Sequence, residues 1–235
     1  MDTFSQGSTL HFLSLGVCLV AVLFTIGAAV RVRDREASAR PLRLVIATGC
    51  LLSWIVSNGY GIFPERFSWS ESLPLHFCNL ANLIGAHAVA TRHRISQALI
   101  YFWSIALCSC AFLTPSLYVG PAHLWFWLFW IYHAFIPVSV AWILVADRFR
   151  PSRPDWRNAV VLTLGFMAVL VALDAITGWN YGFVGPSLPT QKNILDFLGP
   201  YPLRLLWMAL IGAFLFTLLM IPWLRPLGTS APEKP

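Results

Sequence analysis

Residue types that lipid disfavours sit inside otherwise apolar runs of this sequence, and their spacing is the first guide to chemistry. The richest run reads Ser72-Leu-Pro-Leu-His-Phe-Cys-Asn-Leu-Ala-Asn82. On a helix Cys78 and Asn82 are i, i+4 while His76 and Asn79 are i, i+3, so a thiol and two amides share a stripe flanked by an imidazole. A second run, Trp127-Leu-Phe-Trp-Ile-Tyr-His133-Ala-Phe-Ile-Pro137, places a histidine among aromatics one turn before a proline. Pro137 has no N–H, so the His133 carbonyl loses its i+4 donor and a kink is expected there. A thiol in an apolar setting is a poor nucleophile until a base takes its proton, and an imidazole is the usual base. The residues leave two readings open for each: Cys78 is a nucleophile or a small hydrophobe, and His133 is a base in a shaped pocket or a histidine that hydrogen-bonds between helices. Asn79, Asn82 and Asn180 can donate to a developing oxyanion.

Other polar residues leave two readings open. His11 near the start of an apolar run fits either a binding site or an interfacial anchor, and His76 either a site residue or a polar helix start. Asp174 is the one acid well inside an apolar run; it serves either to tie down the adjoining Asn180-Tyr181 segment or to act as a general acid or histidine-orienting group. With Tyr181 these complete the candidate binding set. Cys18, Cys50, Cys108 and Cys110 lack polar neighbours in sequence and read as inert small hydrophobes. Cys108 and Cys110, two apart, share no helix face. The five cysteines, all within apolar stretches, imply no disulfide framework.

Several chemistries have no support. There is no Gly-rich phosphate loop, HExxH, CxxC or serine elbow. His76 and His87 would lie about 16 Å apart on one helix and cannot share a metal. No metal or other cofactor is expected.

The elements that must position these groups follow from composition. Of the 235 residues 57% are hydrophobic and 11% charged, where a soluble domain carries about 25% charge. That excludes an ordinary soluble domain and predicts an all-α polytopic membrane protein. Seven apolar segments meet the pattern: Leu10–Val30, Leu42–Phe63, Leu75–Ala90, Ile95–Leu113, His123–Ala146, Ala159–Ile176 and Leu203–Trp223. The third is short, and Ser72 as cap with Pro74 in the first turn would extend it upstream. The first has no basic n-region and is followed by arginines, so it reads as an anchor and not a cleaved signal. Thirteen Lys and Arg fall in alternate connections and three in the others. By the positive-inside rule the N-terminus is outside and the C-terminus cytoplasmic, which an odd number of spans requires. The net charge of +6 thus reflects topology, and no nucleic-acid partner is expected.

Residues 1–227 read as a single domain of seven transmembrane helices without repeats, and 228–235 as a disordered cytoplasmic tail. The Pro-, Gly- and aromatic-rich connection 178–202 reads as a structured lid on the outer face. His11, Asn58, His76, Cys78, Asn79, Asn82, Asp174, Asn180 and Tyr181 then all fall in the outer half, with His133 near mid-depth, which predicts a polar cavity opening outward. Counted from the expected helix starts, Cys78 lies about 5 Å deep and His133 about 15 Å deep, a gap the fold must close.

Together, Leu73-Pro-Leu-His-Phe-Cys78-Asn, Tyr101-Phe-Trp, Thr114-Pro115, His133 in its aromatic helix, Asn180-Tyr181 and Leu195-Asp-Phe-Leu-Gly-Pro-Tyr-Pro202 make the chain resemble the YwaF-like integral membrane proteins over nearly its whole length. Eukaryotic relatives of that family are regarded as phospholipid acyltransferases that work without acyl-CoA. The resemblance implies a cysteine nucleophile at Cys78, a histidine at His133, membrane phospholipids as partners, and a multi-pass location in a bacterial plasma membrane. Asp174 stands where the family pattern has Asn. The residues alone also fit a small-solute or proton transporter, which leaves Cys78 without a task, or a noncatalytic scaffold, which accounts for little beyond the aromatics.

Overall fold

The computed structural model describes residues 3–186 and 194–224. The expected tail, 228–235, and the middle of the proposed lid, 187–193, lie outside the described residues. Eight α-helices follow one another: α1 (Thr9–Val32), α2 (Glu36–Ile62), α3 (Phe77–Thr91), α4 (Arg94–Phe102), α5 (Cys110–Leu113), α6 (Leu124–Val145), α7 (Arg153–Thr177) and α8 (Leu203–Met220). A π-helical turn, Trp103–Leu107, joins α4 to α5. Among the described residues the sole β feature is an isolated bridge between Thr3 and Val119.

Among the described residues, six helical segments are long and apolar enough to cross a membrane: Thr9–Val32, Glu36–Ile62, Arg94–Leu113, Leu124–Val145, Arg153–Thr177 and Leu203–Trp223. The chain is a multi-pass membrane protein. Its helices wear their apolar residues outward, as lipid requires. On α1, Leu13, Val17, Val20 and Phe24 form an exposed stripe, while His11, Cys18, Thr25 and Ala29 face inward. At the centre, α6 packs against α1, α2 and α3. Small residues allow the approach: a Cβ on Gly49 would meet the Phe135 ring at 2.3 Å, and one on Gly85 the Ser139 hydroxyl at 2.9 Å.

The segments alternate between two ends. At one end ion pairs tie the connections together. Arg43 bridges Glu36 (2.6 Å) and Asp147 (2.9 Å), and Arg92 reaches both of the same carboxylates. Arg148 pairs with Asp34, and Arg94 with Asp155 at 2.6 Å. Asp155 also closes the α7 capping box by accepting from the Ser152 N–H at 2.8 Å. Asp147 carries a side chain only 2% exposed; burial pushes its carboxyl above the ordinary range while Arg43 and Arg92 pull it back.

The third segment departs from expectation. Helix α3 starts at Phe77, with His76 as N-cap, and holds fifteen residues, about 22 Å. Ser72 does not cap it: its Oγ accepts instead from the Ser68 N–H at 3.0 Å. Pro74 disfavours helical geometry at Leu73, whose N–H is taken by the Tyr181 hydroxyl at 3.0 Å.

Candidate functional site

The short α3 and the π turn resolve the depth problem. Counted from the arginine-bearing end, Cys78 lies thirteen residues from Thr91, His133 twelve from Val145, and Cys108 fourteen from Arg94. At 1.5 Å per residue all three reach the same level, about 18 to 21 Å up the bundle. There the Cys78 sulfur neighbours both the Cys108 thiol and the His133 ring and interacts electrostatically with each. The π turn is what aims Cys108: its N–H donates to the Trp103 carbonyl, five residues back, at 2.8 Å. Cys108 is fully buried. This corrects the reading of Cys108 as a cysteine without polar company, for only an α-helical register predicts that.

His133 is held in one tautomer. Its Nδ1 lies 2.8 Å from the Phe129 carbonyl, and a carbonyl only accepts, so Nδ1 carries the proton and Nε2 is left with a lone pair. Phe129 and Tyr132 pack on the ring, with centroids 4.2 and 5.0 Å away. Helix α6 continues through Pro137 to Val145. His76 has the opposite arrangement. Its Nδ1 accepts from the Gly182 N–H at 3.2 Å, so in the neutral ring the proton sits on Nε2.

Cys78, His133 and His76 border a cavity of about 1050 Å³ at the end away from these ion pairs, with Arg66 and Glu71 also in its wall. His76, Cys78, Asn79 and His133 line it, together with Asn58, Ser109, Thr114, His123 and Tyr132. Much of the remaining wall is apolar: Phe77, Ile105, Leu107, Met208, Ile211 and Leu215. The expected polar cavity is therefore an apolar one with polar groups at particular points. Part of the 178–202 connection borders it, through Gly182, Phe183, Ile194, Leu195 and Leu198.

The other expected site residues are spent on tying elements together, which is why they do not reach the cavity. His11, buried, accepts from the Gly7 N–H at 3.0 Å and donates through Nε2 to the Phe112 carbonyl at 2.9 Å. Asn82 donates to the Tyr132 carbonyl at 3.0 Å. Asp174 accepts from the Tyr181 N–H at 3.1 Å, the tethering role of its two readings. Asn180 accepts from the Gly185 N–H at 3.1 Å. Tyr181, fully buried, donates to the Trp69 carbonyl at 2.7 Å and its ring lies tilted against His76, with centroids 5.2 Å apart. Asn79 lines the cavity, yet its amide is engaged as well: Oδ1 accepts from the His76 N–H at 3.1 Å and Nδ2 donates to Asn58 at 2.7 Å.

Two residues at the site were not legible in the sequence. Cys108, buried behind the cavity wall, gave no signal because a π turn has none. His123 had one: Gly120-Pro121 ahead of an apolar run marks a helix start, and its Nδ1 caps α6 by accepting from the Trp125 N–H at 3.3 Å.

The sequence profile of the TMEM164 family, a transmembrane protein family, matches residues 5–220. The chain belongs to the TMEM164 family. The match takes in α1 to α8 and so every cavity-lining group named above. No curated protein and no solved structure matches the chain.

Proposed function

We propose that this TMEM164-family protein is a cysteine-dependent acyltransferase that moves an acyl chain between membrane phospholipids, with Cys78 as nucleophile and His133 as base. The observation that carries the reading is the meeting of the Cys78 sulfur with a histidine whose Nδ1 proton is committed to the Phe129 carbonyl, beside a cavity large and apolar enough for lipid chains. The resemblance to YwaF-like proteins supports the same assignment.

In this mechanism Nε2 of His133 takes the Cys78 thiol proton as the sulfur attacks an ester carbonyl of a bound phospholipid. The carbonyl oxygen becomes an oxyanion and accepts a hydrogen bond from Nε2–H of His76. Asn79, Asn82 and Asn180 are displaced from that role by the bonds they already make. Collapse breaks the ester C–O bond; His133 returns its proton to the departing lysophospholipid hydroxyl, and a thioester remains on Cys78. A second lysophospholipid then gives its hydroxyl proton to His133 and attacks the thioester. The Cys78 sulfur leaves and recovers the proton. The Cys108 thiol steadies the sulfur anion at both stages by donating to it.

We further propose that α3 completes seven spans, with the N-terminus outside, the C-terminus cytoplasmic and the cavity toward the outer leaflet of a bacterial plasma membrane. The arginine distribution supports this orientation. The test is to incubate purified protein with acyl-labelled phospholipid and digest it. A hydroxylamine-sensitive label on the Cys78 peptide is the expected result. Lipid remodelling that persists in folded Cys78→Ala overturns the covalent mechanism.

A further inference from the structure

A second groove, of about 500 Å³, shares no lining residue with this cavity and lies between the first turns of α7 and the end of α8. Trp156, Met220, Ile221 and Leu224 supply its apolar surface, and Arg153 and Arg157 are its charged members. The two arginines are exposed and stand at i, i+4, about 6 Å apart on one helix face. Neither has an acidic partner among the described residues, whereas Arg43, Arg92, Arg94 and Arg148 at the same end each pair with a carboxylate.

The carboxylate lying between them in the chain, Asp155, is turned away and fully used. It takes two bonds from Arg94, at 3.0 and 2.6 Å, and the Ser152 N–H besides. Among the described residues the groove lining thus holds two cations and no anion. The Trp156 indole N–H is buried without a hydrogen-bond partner. The far edge is braced by the Arg150 guanidinium, 5.1 Å from the Trp223 ring centroid.

We propose that this groove binds one anionic phospholipid from the leaflet at the arginine-bearing end. Its phosphate bridges Arg153 and Arg157, and a chain runs down the Met220 and Ile221 side. Basic pockets between membrane helices, at the level of the headgroups, suit such lipids. A zwitterionic lipid can offer the same phosphate, but its ammonium finds no carboxylate in the lining, so preference for net negative charge follows. The site is independent of Cys78 and of acyl transfer.

Native mass spectrometry of the full chain, released from nanodiscs of phosphatidylcholine and phosphatidylglycerol, tests this. One phosphatidylglycerol should be retained in preference to phosphatidylcholine. Arg153→Gln with Arg157→Gln should lower that preference about 30-fold, the effect of two interfacial arginines. Arg40→Gln, an exposed arginine at the same end outside the groove, should leave it unchanged. Thr217→Trp fills the groove from the lipid side, keeps both arginines, and should expel the lipid. Equal retention of the two lipids, or unchanged preference in Thr217→Trp, overturns the proposal. Displacement by excess inorganic phosphate would mark a site for free anions and overturn it as well.

Discussion

The two ends of the bundle are fastened in different currencies. At the arginine-bearing end, charges hold the connections: Arg43, Arg92 and Asp147 join the starts and finishes of α2, α3 and α6, and Arg94 with Asp155 joins α4 to α7. At the cavity end, neutral donors grip backbone carbonyls and amides. His11 holds Phe112, Asn82 holds Tyr132, and Tyr181 holds both Trp69 and Leu73. A desolvated ion pair beside a reacting thiol would impose a fixed field on it, whereas neutral hydrogen bonds position it without adding net charge. Around Cys78 the fastenings are dipoles, with Arg66 and Glu71 elsewhere on the cavity wall and Arg204 gripping the Gly185 carbonyl, whereas the other end is held by ion pairs.

Breaking the cavity end at its centre should have the largest effect. Cys78→Ala removes the thioester altogether, and His133→Ala should slow acyl transfer by about 10²- to 10⁴-fold. The double variant should be little worse than Cys78→Ala, because members of one catalytic unit are strongly non-additive; initial rates on labelled phospholipid measure all three. At the other end, Asp147→Ala leaves Arg43 buried with only the exposed Glu36 opposite, and should cost about 3 kcal/mol in detergent unfolding followed by tryptophan fluorescence. The same carboxyl predicts a pH dependence. Burial raises it above its unfolded value, so the folded state binds its proton more tightly and the stability this contributes is full at low pH. That contribution is lost as pH rises from the ordinary aspartate range through the raised value, and the slope should vanish in Asp147→Asn.

Smaller effects sharpen the contrast. Tyr181→Phe strands the Leu73 N–H and the Trp69 carbonyl, for about 1 to 3 kcal/mol, and should loosen the connection ahead of α3. Cys108→Ala should slow Cys78 alkylation several-fold, with Cys108→Ser restoring part of it, on the order of one charge-assisted hydrogen bond. Cys18→Ala, at a thiol remote from the cavity, should leave the rate unchanged.

How far these contrasts could be read beforehand depended on what each residue had to do. The apolar segments, Cys78 and His133 stand out because lipid makes every polar residue conspicuous. The same rule does not separate His11, Asn82, Asp174 and Asn180, whose side chains tie elements together, from residues that line the cavity. Lipid also forces bonds on the backbone at helix ends and connections, and a side chain recruited for that looks in sequence like one recruited for catalysis. The start of α3 was missed because the bond that holds Leu73 extended comes from Tyr181, more than a hundred residues on. Cys108 was hidden by register, which no composition records.

The π turn that aims Cys108 is also a phase slip. An extra residue in one turn rotates everything beyond it by about 100° relative to an unbroken α-helix. Just before the slip Tyr101 donates to the Leu219 carbonyl, and at its first residue Trp103 donates to Thr163, fixing the segment to α8 and α7. After it, Cys108 faces Cys78. The two halves of one segment are therefore decoupled in rotation. Substitutions that retune the scaffold contacts can accumulate without turning the thiol away from its partner, while a one-residue deletion inside Trp103–Leu107 would keep the helix intact and still swing the cysteine out of register.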